Sequence, residues 1–316
     1  MADEIWGITA YFNPMHWRCR RENFLQFRKS LGIPLVAVEL GYDGQFDLTA
    51  DDAEVLLQFP ASAVMWQKER LLNLALAAVP PRVTKITNLD GDVVFGRPDV
   101  WEAVSEALEQ TPLLQPFSDV YYLPESHPCD FSLIEKQVKP SPGYAWLRQQ
   151  GTTNMELCNP AWGNPREMPP VTYGLGWAFR RELFAERGFY DAWIVGGGTR
   201  VHCFAVDDQW QEAAEAMRFH PAMREHFRRW ARGFHHAVRG KWGYVPGPVA
   251  HLWHGEPAGR KYRQRYVDFA EFNFDPEVDL TLDENGAWTW SSAKPAMHQY
   301  LQEYFAGREE DGAARN

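Results

Sequence analysis

Two aspartates one residue apart are the first chemistry this sequence offers. Asp90 and Asp92 flank Gly91 in the stretch Asn88-Leu89-Asp90-Gly91-Asp92-Val93-Val94-Phe95, the only Asp-x-Asp of the 316 residues. Carboxylates are hard oxygen ligands that suit Mg²⁺ or Mn²⁺, and such an ion usually bridges them to phosphate oxygens. A polar turn is the plain alternative. A second group lies far along the chain: His251 and His254, then Gly255, then Arg260, Lys261, Arg263 and Arg265. Imidazole is a common metal ligand, and closely following cations suit phosphate. A half-buried, hydrogen-bonded ring is the plain reading of each histidine. A third group is glycine-rich: Gly174, Gly176 and Gly196 to Gly198, with Trp177 among them. These glycines imply tight turns or backbone close to a ligand. Trp177 would stack on a sugar face or simply fill the core. Lys68 and Glu69 start a helix and could point toward Asp90; a solvated helix end is the alternative.

The elements that must position these residues follow from periodicity. Strands are expected at 4–11, at 33–40, in the run 83–89 that ends at the aspartates, and over 113–123. Helices are expected over 17–31, over 65–79 before Pro80-Pro81, and from Pro98 to about 110. Strand and helix in alternation mark an α/β fold with a parallel sheet. Residues 123–170 lack periodicity, and a loop that long is usually functional or partly structured. Strand then helix resume at Thr172, and the Gly196–Gly198 turn leads into another helix. Residues 210–240 read as helical with a break at Pro221. The segment 242–255 reads as a late edge strand because it carries Pro and Gly. A terminal helix is expected near 300–305, and 307–316 reads as a solvated, disordered tail.

The formal charge of −10 is unevenly spread. Between Ala216 and Tyr266 eleven Lys/Arg stand against two acidic residues, so this segment is +9 and holds six of the ten histidines. It reads as a solvated helix face or as a cradle for an anion. Net acidity argues against broad nucleic-acid binding without excluding a local patch. No run approaches the roughly 20 apolar residues of a membrane span. The start shows no signal-peptide pattern. The four scattered cysteines show no metal spacing. A cytoplasmic protein with reduced thiols is the expectation.

In this order, "ITAYFNP", "VEL", "WQKERLLNLAL", "LDGDVVF", "GLGWAFRRELFAERGFYD" with "VGGGT", and "HLWHG" with "RKYRQRY" resemble the GT-A type glycosyltransferases of the family 2 kind, over roughly residues 5–266. The likeness extends to uncharacterised bacterial and phage-type members, through "GYVPG" and "FDPEVDL". It implies a Rossmann-like, mixed, mostly parallel sheet flanked by helices. It implies a transferase domain over 1–255 and a C-terminal extension over 256–316. It further implies Mn²⁺ or Mg²⁺ and a nucleoside-diphosphate sugar as donor, UDP-sugar favoured.

Residue by residue, the resemblance makes Asp90, Asp92 and the late His251, with His254 as close alternative, the metal and diphosphate ligands. Ala10, Tyr11 and Phe12 fall in the loop touching the nucleotide, and Glu39 near its base or ribose. Gly176 and Trp177 form the wall where donor meets acceptor. Lys68, Arg260 and Arg263 supply cations to the donor. One departure stands out. Inverting members commonly carry an acidic residue after the glycines as general base. Here Thr199 and Arg200 follow Gly198, and threonine cannot act so at neutral pH. Asp191, Asp207 and Asp208 are the candidates to replace it; a retaining enzyme or a non-catalytic sugar-binding protein are the alternatives. The acceptor is a hydroxyl, of a glycan or of a hydroxymethylated base in DNA. A nucleotidyltransferase is disfavoured, because "AYFNPMHWRCRR" lacks a glycine-rich loop.

Overall fold

The computed structural model describes residues 5–158 and 171–312. Thirteen strands are found among them: β1 (Ile5–Phe12), β2 (Leu35–Gly41), β3 (Val55–Pro60), β4 (Lys85–Leu89), β5 (Val93–Phe95), β6 (Leu113–Gln115), β7 (Asp119–Tyr122), β8 (Ser141–Pro142), β9 (Gly176–Arg180), β10 (Trp242–Tyr244), β11 (Pro248–His251), β12 (Leu280–Leu282) and β13 (Trp288–Trp290). Seven of them form the main sheet, in the order β10-β6-β9-β4-β1-β2-β3. Its pairings are parallel except those of β9 with β4 and β6. The fold is the mixed, mostly parallel α/β sheet that the alternation of elements implies.

The central strands are apolar on both faces, which is why they read as unbroken hydrophobic runs. In β1, Trp6, Ile8 and Phe12 enter one core while Ile5 and Tyr11 enter the other. Helices cover both faces. On the Ile5 side lie α1 (Arg18–Leu31), through Phe24, Phe27 and Leu31, and Val100, Trp101, Val104 and Leu108 of the helix Val100–Leu108. On the Trp6 side packs α2 (Lys68–Ala78), with Leu71, Leu72, Ala75 and Leu76. Helix α1 ends at Gly32, whose φ of 72° suits the left-handed cap that glycine adopts without strain.

A smaller sheet, ordered β5-β11-β7-β8, sits at the end of the first. Here the structure departs from several expectations. The run 113–123 is not one strand. Pro116 cannot donate to a ladder, so the chain leaves the main sheet after β6 and enters the small one as β7. The late segment 242–255 also splits. Its β10 is indeed a sheet edge, but β11 is central, between β5 and β7. Proline is accommodated at its first residue, Pro248.

The stretch 123–158 is partly structured, as a loop of that length suggests. It forms helices Phe131–Gln137, Tyr144–Gln149 and Asn154–Cys158 and the short β8. The rest of that expected loop, 159–170, lies outside the described residues. Strand β3 and the hairpin β12–β13 carried no sequence signal strong enough to be read. Helix α2 begins later than its apolar stripe, because Gln67 is engaged with Trp288: its side chain donates to the Trp288 carbonyl (3.0 Å) and accepts from its N–H (2.7 Å).

The expected solvated tail is corrected over 307–312. The terminal helix Pro295–Ala306 places Phe305 against Phe12 and Trp66. Beyond it, Arg308 and Glu310 are buried, 3 % and 0 % exposed. Glu310 accepts two hydrogen bonds from Arg20 (2.5 and 2.9 Å) and pairs with Arg308 at 2.6 Å. Burial would raise its pKa, but the charges of Arg20 and then Arg308 hold it at about 2. Asp311 accepts from the N–H groups of Arg18 (2.9 Å) and Cys19 (2.7 Å), capping α1 from 293 residues away. Charged residues at a chain end look solvated until partners 290 residues distant are known. Replacing Glu310 by Gln leaves two guanidiniums short of a buried partner. We expect it to lower unfolding stability by about 3–5 kcal/mol in urea titration; an unchanged midpoint would show that this strap carries no stability.

Candidate functional site

The site is assembled by one short antiparallel ladder. Strand β4 ends at Leu89, the chain turns through Asp90-Gly91-Asp92, and β5 then pairs with β11, Val93 opposite His251. The Leu252 N–H donates to the Asp92 carbonyl (2.9 Å), extending that ladder. Asp92 is thereby laid against the segment carrying His251 and His254. Beneath the turn, a Cβ on Gly91 would stand 3.0 Å from the Phe24 ring, so the close approach of α1 favours glycine there.

Asp92, His251 and His254 form a triad whose ligand atoms lie within 4.8 Å of one another. His251 Nε2 is 3.6 Å from Asp92 Oδ1, and His254 Nε2 is 3.5 Å from Oδ2. His254 Nδ1 lies 3.0 Å from the Leu252 carbonyl, which can only accept. That contact fixes the tautomer and leaves Nε2 as a bare lone pair facing Asp92. His251 stacks edge-on against Tyr122, whose hydroxyl bonds Thr172 Oγ1 at 2.8 Å.

Three observations fit a divalent cation at this triad. Asp92 Oδ1 is buried without a hydrogen-bond partner, an expensive state unless a cation completes it. Both rings are held neutral. Burial, then the Arg260 charge, lowers His251 to about 3 and His254 well below its ordinary range. Burial, then the charge of Asp90, pushes Asp92 up to about 7, which marks a carboxylate short of positive charge. Two imidazoles and one carboxylate suit a first-row ion such as Mn²⁺ better than Mg²⁺, which prefers all-oxygen shells.

Asp90 is not part of this triad. It pairs with Lys68 at the start of α2, accepts from the Leu175 N–H (3.3 Å), and its own N–H donates to the Leu175 carbonyl (2.9 Å). Burial alone would raise Asp90, but the Lys68 charge and hydrogen bond keep it below the usual carboxylate range. Leu175 adopts a φ of 71°, a left-handed conformation costly for a branched residue. That strain sits directly beside Asp90. The two aspartates therefore take different partners.

Around these groups the structure gathers some of the expected residues and sets others apart. Arg260 donates to the His254 carbonyl (2.7 Å). Arg263 is exposed at the start of the helix Gln264–Ala270. Ala10, Tyr11 and Phe12 close β1. The Tyr11 hydroxyl donates to Asp47 (2.7 Å), and the Phe12 carbonyl accepts from Arg20 (2.9 Å). Glu39 is occupied within the fold, accepting from the N–H groups of Asp47 (2.6 Å) and Leu48 (3.2 Å) and from Gln58 (2.8 Å). Gly176 opposes Leu89, where a Cβ would come within 2.9 Å of its methyl. Trp177 is buried and donates to the Tyr173 carbonyl (2.8 Å), so its ring belongs to the core.

The three acids considered for base work are engaged elsewhere or sit outside the cluster. Asp191 pairs with Arg70 (3.0 Å) and Asn73 (2.9 Å). Asp207 pairs with Arg148 (2.5 Å). Asp208 follows the helix Gly198–Val206 in a left-handed turn, φ 57°. Residues that sequence reasoning missed are Arg20, Arg308 and Glu310, whose charges act near the triad. Only their fold-level proximity reveals them.

No family model matches the sequence, and no curated protein does. Solved structures do. Glucosyl-3-phosphoglycerate synthase from Mycobacterium tuberculosis, in complex with Mn²⁺, UDP and glucosyl-3-phosphoglycerate, aligns at 13 % identity over 91 % of this chain and 86 % of that one, with a TM-score of 0.43. The same enzyme with Mn²⁺, UDP-glucose and phosphoglyceric acid aligns at 14 % identity over 92 % and 88 %, TM-score 0.41. The 4-diphosphocytidyl-2C-methyl-D-erythritol synthase from Anaerococcus prevotii aligns at 12 % over 78 % and 90 %, TM-score 0.33.

Titration calorimetry with Mn²⁺ checks the division of labour between the aspartates. Asp92→Asn and His251→Ala should each weaken binding at least tenfold, since even the loss of a group that only supports a ligand commonly costs about that much. Asp90→Asn should weaken it far less in the absence of nucleotide. Equal losses for Asp90→Asn and Asp92→Asn would place both carboxylates on the ion.

Proposed function

We propose that the chain is a metal-dependent glycosyltransferase of the GT-A type, moving a sugar from a nucleoside-diphosphate sugar, UDP-sugar favoured, to a hydroxyl acceptor. The observation that carries this reading is the Asp92–His251–His254 triad beside the Lys68–Asp90 pair, at the end of a mostly parallel sheet. Ligands of such sheets bind beyond the carboxyl ends of the strands, and β4 ends at this turn. The resemblance of the sequence supports the same reading. In it, residues 1–255 form the transferase domain and 256–316 an extension packing on it.

Asp92, His251 and His254 would hold the cation, Mn²⁺ preferred. When bound, the ion neutralises charge on the departing diphosphate. The chain's own residues do the rest. Lys68, paired with Asp90 two residues before the triad's Asp92, would meet a phosphate oxygen. Arg260, fixed by the His254 carbonyl, would add a second cation. Asp90 holds Lys68 in place and, through Leu175, ties β4 to the strand that carries Gly176 and Trp177. The Ala10–Phe12 end of β1 would contact the nucleotide; Glu39 would act by ordering the Asp47–Leu48 loop.

The test is a donor screen by mass spectrometry with UDP-, GDP- and other nucleotide sugars, Mn²⁺ and a mixed acceptor library. Donor consumption should require the metal, stop on chelation, and fall at least a hundredfold in Asp92→Ala. No nucleotide-sugar binding by any donor in the presence of Mn²⁺ would overturn the reading.

A second acceptor class has one supporting observation. The helix Pro221–Val238 buries Met223, Phe227, Ala231, Phe234 and Val238 and turns Arg229, Arg232 and then Arg239 outward, exposed. Such a face suits a polyanion, and the acceptor would then be a hydroxymethylated pyrimidine in DNA. Glu277 pairs with Arg229 and Glu225 with Arg228, which reduces the free charge. Transfer to hydroxymethylated DNA but not to unmodified DNA, with affinity falling steeply between about 50 and 200 mM salt, would establish it. Salt-independent transfer to free glycans would exclude it.

A further inference from the structure

A carboxylate that none of these roles uses lies against the glycine turn. Glu69, beside Lys68 in the first turn of α2, is 4 % exposed. Unlike Asp191 and Asp207, it holds no ion pair among the described residues. Its Oε1 would stand 2.2 Å from a Cβ on Gly198, so position 198 admits only glycine while Glu69 keeps this pose. Next along the turn, Thr199 Oγ1 lies 4.0 Å, and Asp90 Oδ2 3.7 Å, from where a Cβ on Gly174 would stand. Glu69, Asn88, Trp177, Thr199 and His202 together line a cavity. Two of its other polar side chains are already paired. His202 donates from Nδ1 to the Gly198 carbonyl (2.8 Å) and accepts at Nε2 from the Tyr190 N–H (2.9 Å). Trp177 donates to Tyr173.

An acceptor hydroxyl must lose its proton as it attacks, and the residue after the glycines, Thr199, cannot take it. We propose that Glu69, reaching the turn from α2, is the catalytic base that receives this proton. The inference rests on the glycosyltransferase reading above. In the step, the acceptor oxygen bonds the anomeric carbon of the donor. The carbon–oxygen bond to the diphosphate breaks, its electron pair leaving with the nucleoside diphosphate. The acceptor proton passes to a Glu69 carboxylate oxygen. Lys68, the preceding residue, pairs with Asp90, so the charge that would meet the leaving diphosphate and the carboxylate that would meet the acceptor sit on one helical turn. Burial, offset in part by the Lys68 charge, pushes Glu69 up to about 7, a value matched to proton transfer near neutrality.

The experiment compares wild type, Glu69→Gln and Gly198→Ala in UDP release from UDP-glucose with Mn²⁺ and the acceptor library, alongside UDP–Mn²⁺ affinity by calorimetry. Glu69→Gln should lose about 10²- to 10⁴-fold in rate with affinity changed less than about threefold. Gly198→Ala, which displaces the carboxylate, should lose rate in the same sense with affinity kept. Glu69→Gln turning over as wild type overturns the assignment. So does a variant that loses rate and affinity together, which would make Glu69 structural. A wild type that binds and turns over no nucleotide sugar overturns the parent reading and this one with it, and is distinguished by failing before any variant is compared.

Discussion

Everything at the site depends on three residues pairing with four. The ladder between Val93–Phe95 and Pro248–His251 joins segments more than 150 positions apart and fixes their register. A slip of one residue would invert which side chains face each other and would carry His251 away from Asp92. The ladder is held from both sides. Strand β7 pairs with the far edge of β11, and Phe24 of α1 supports the turn from below. A short, central, doubly paired strand is a rigid way to present two imidazoles and a carboxylate within ligand distance.

The second constraint is electrostatic. The chain brings like charges close: Asp90 and Asp92 on one turn, and Arg20, Arg260 and Arg308 around them. Buried charges are tolerated when paired, and each aspartate finds a separate solution. Lys68 answers Asp90. Asp92 has two neutral rings as its nearest partners, with the charges of Arg260 and Arg20 acting on it besides, and keeps an orphaned oxygen that a divalent cation would complete. Glu310 answers Arg20 and Arg308, so the C-terminal segment completes the charge balance beside the site as well as capping α1.

How much of this could be read in advance differs from residue to residue. The parallel core strands were legible because burial on both faces leaves an unbroken apolar run, as in Leu35–Gly41. Lys68 could be aimed at Asp90 because helix and strand ends are local features. The splitting of 113–123 between two sheets was not legible; only the sheet that receives each half distinguishes them. Residues 308–312 looked like solvent-facing polar chain because their partners, Arg20 and the amides of Arg18 and Cys19, lie almost the whole chain away. Glu39 matched a ligand position, yet its carboxylate is filled by two loop amides and Gln58, a matter of contacts rather than type.

The sequence by itself determined the α/β class, the placement of Asp90-Gly91-Asp92 where a strand leaves the core, and the residue types able to bind a cation and a diphosphate. These follow from periodicity and from the intrinsic chemistry of side chains, both of which are local. Tertiary structure alone decided that Asp92 joins the two histidines while Asp90 joins Lys68, and that Glu69 meets the Gly198 turn left without an acidic residue. Those outcomes depend on sheet register and on distances between segments far apart in the chain. No property of a single residue or its near neighbours encodes them.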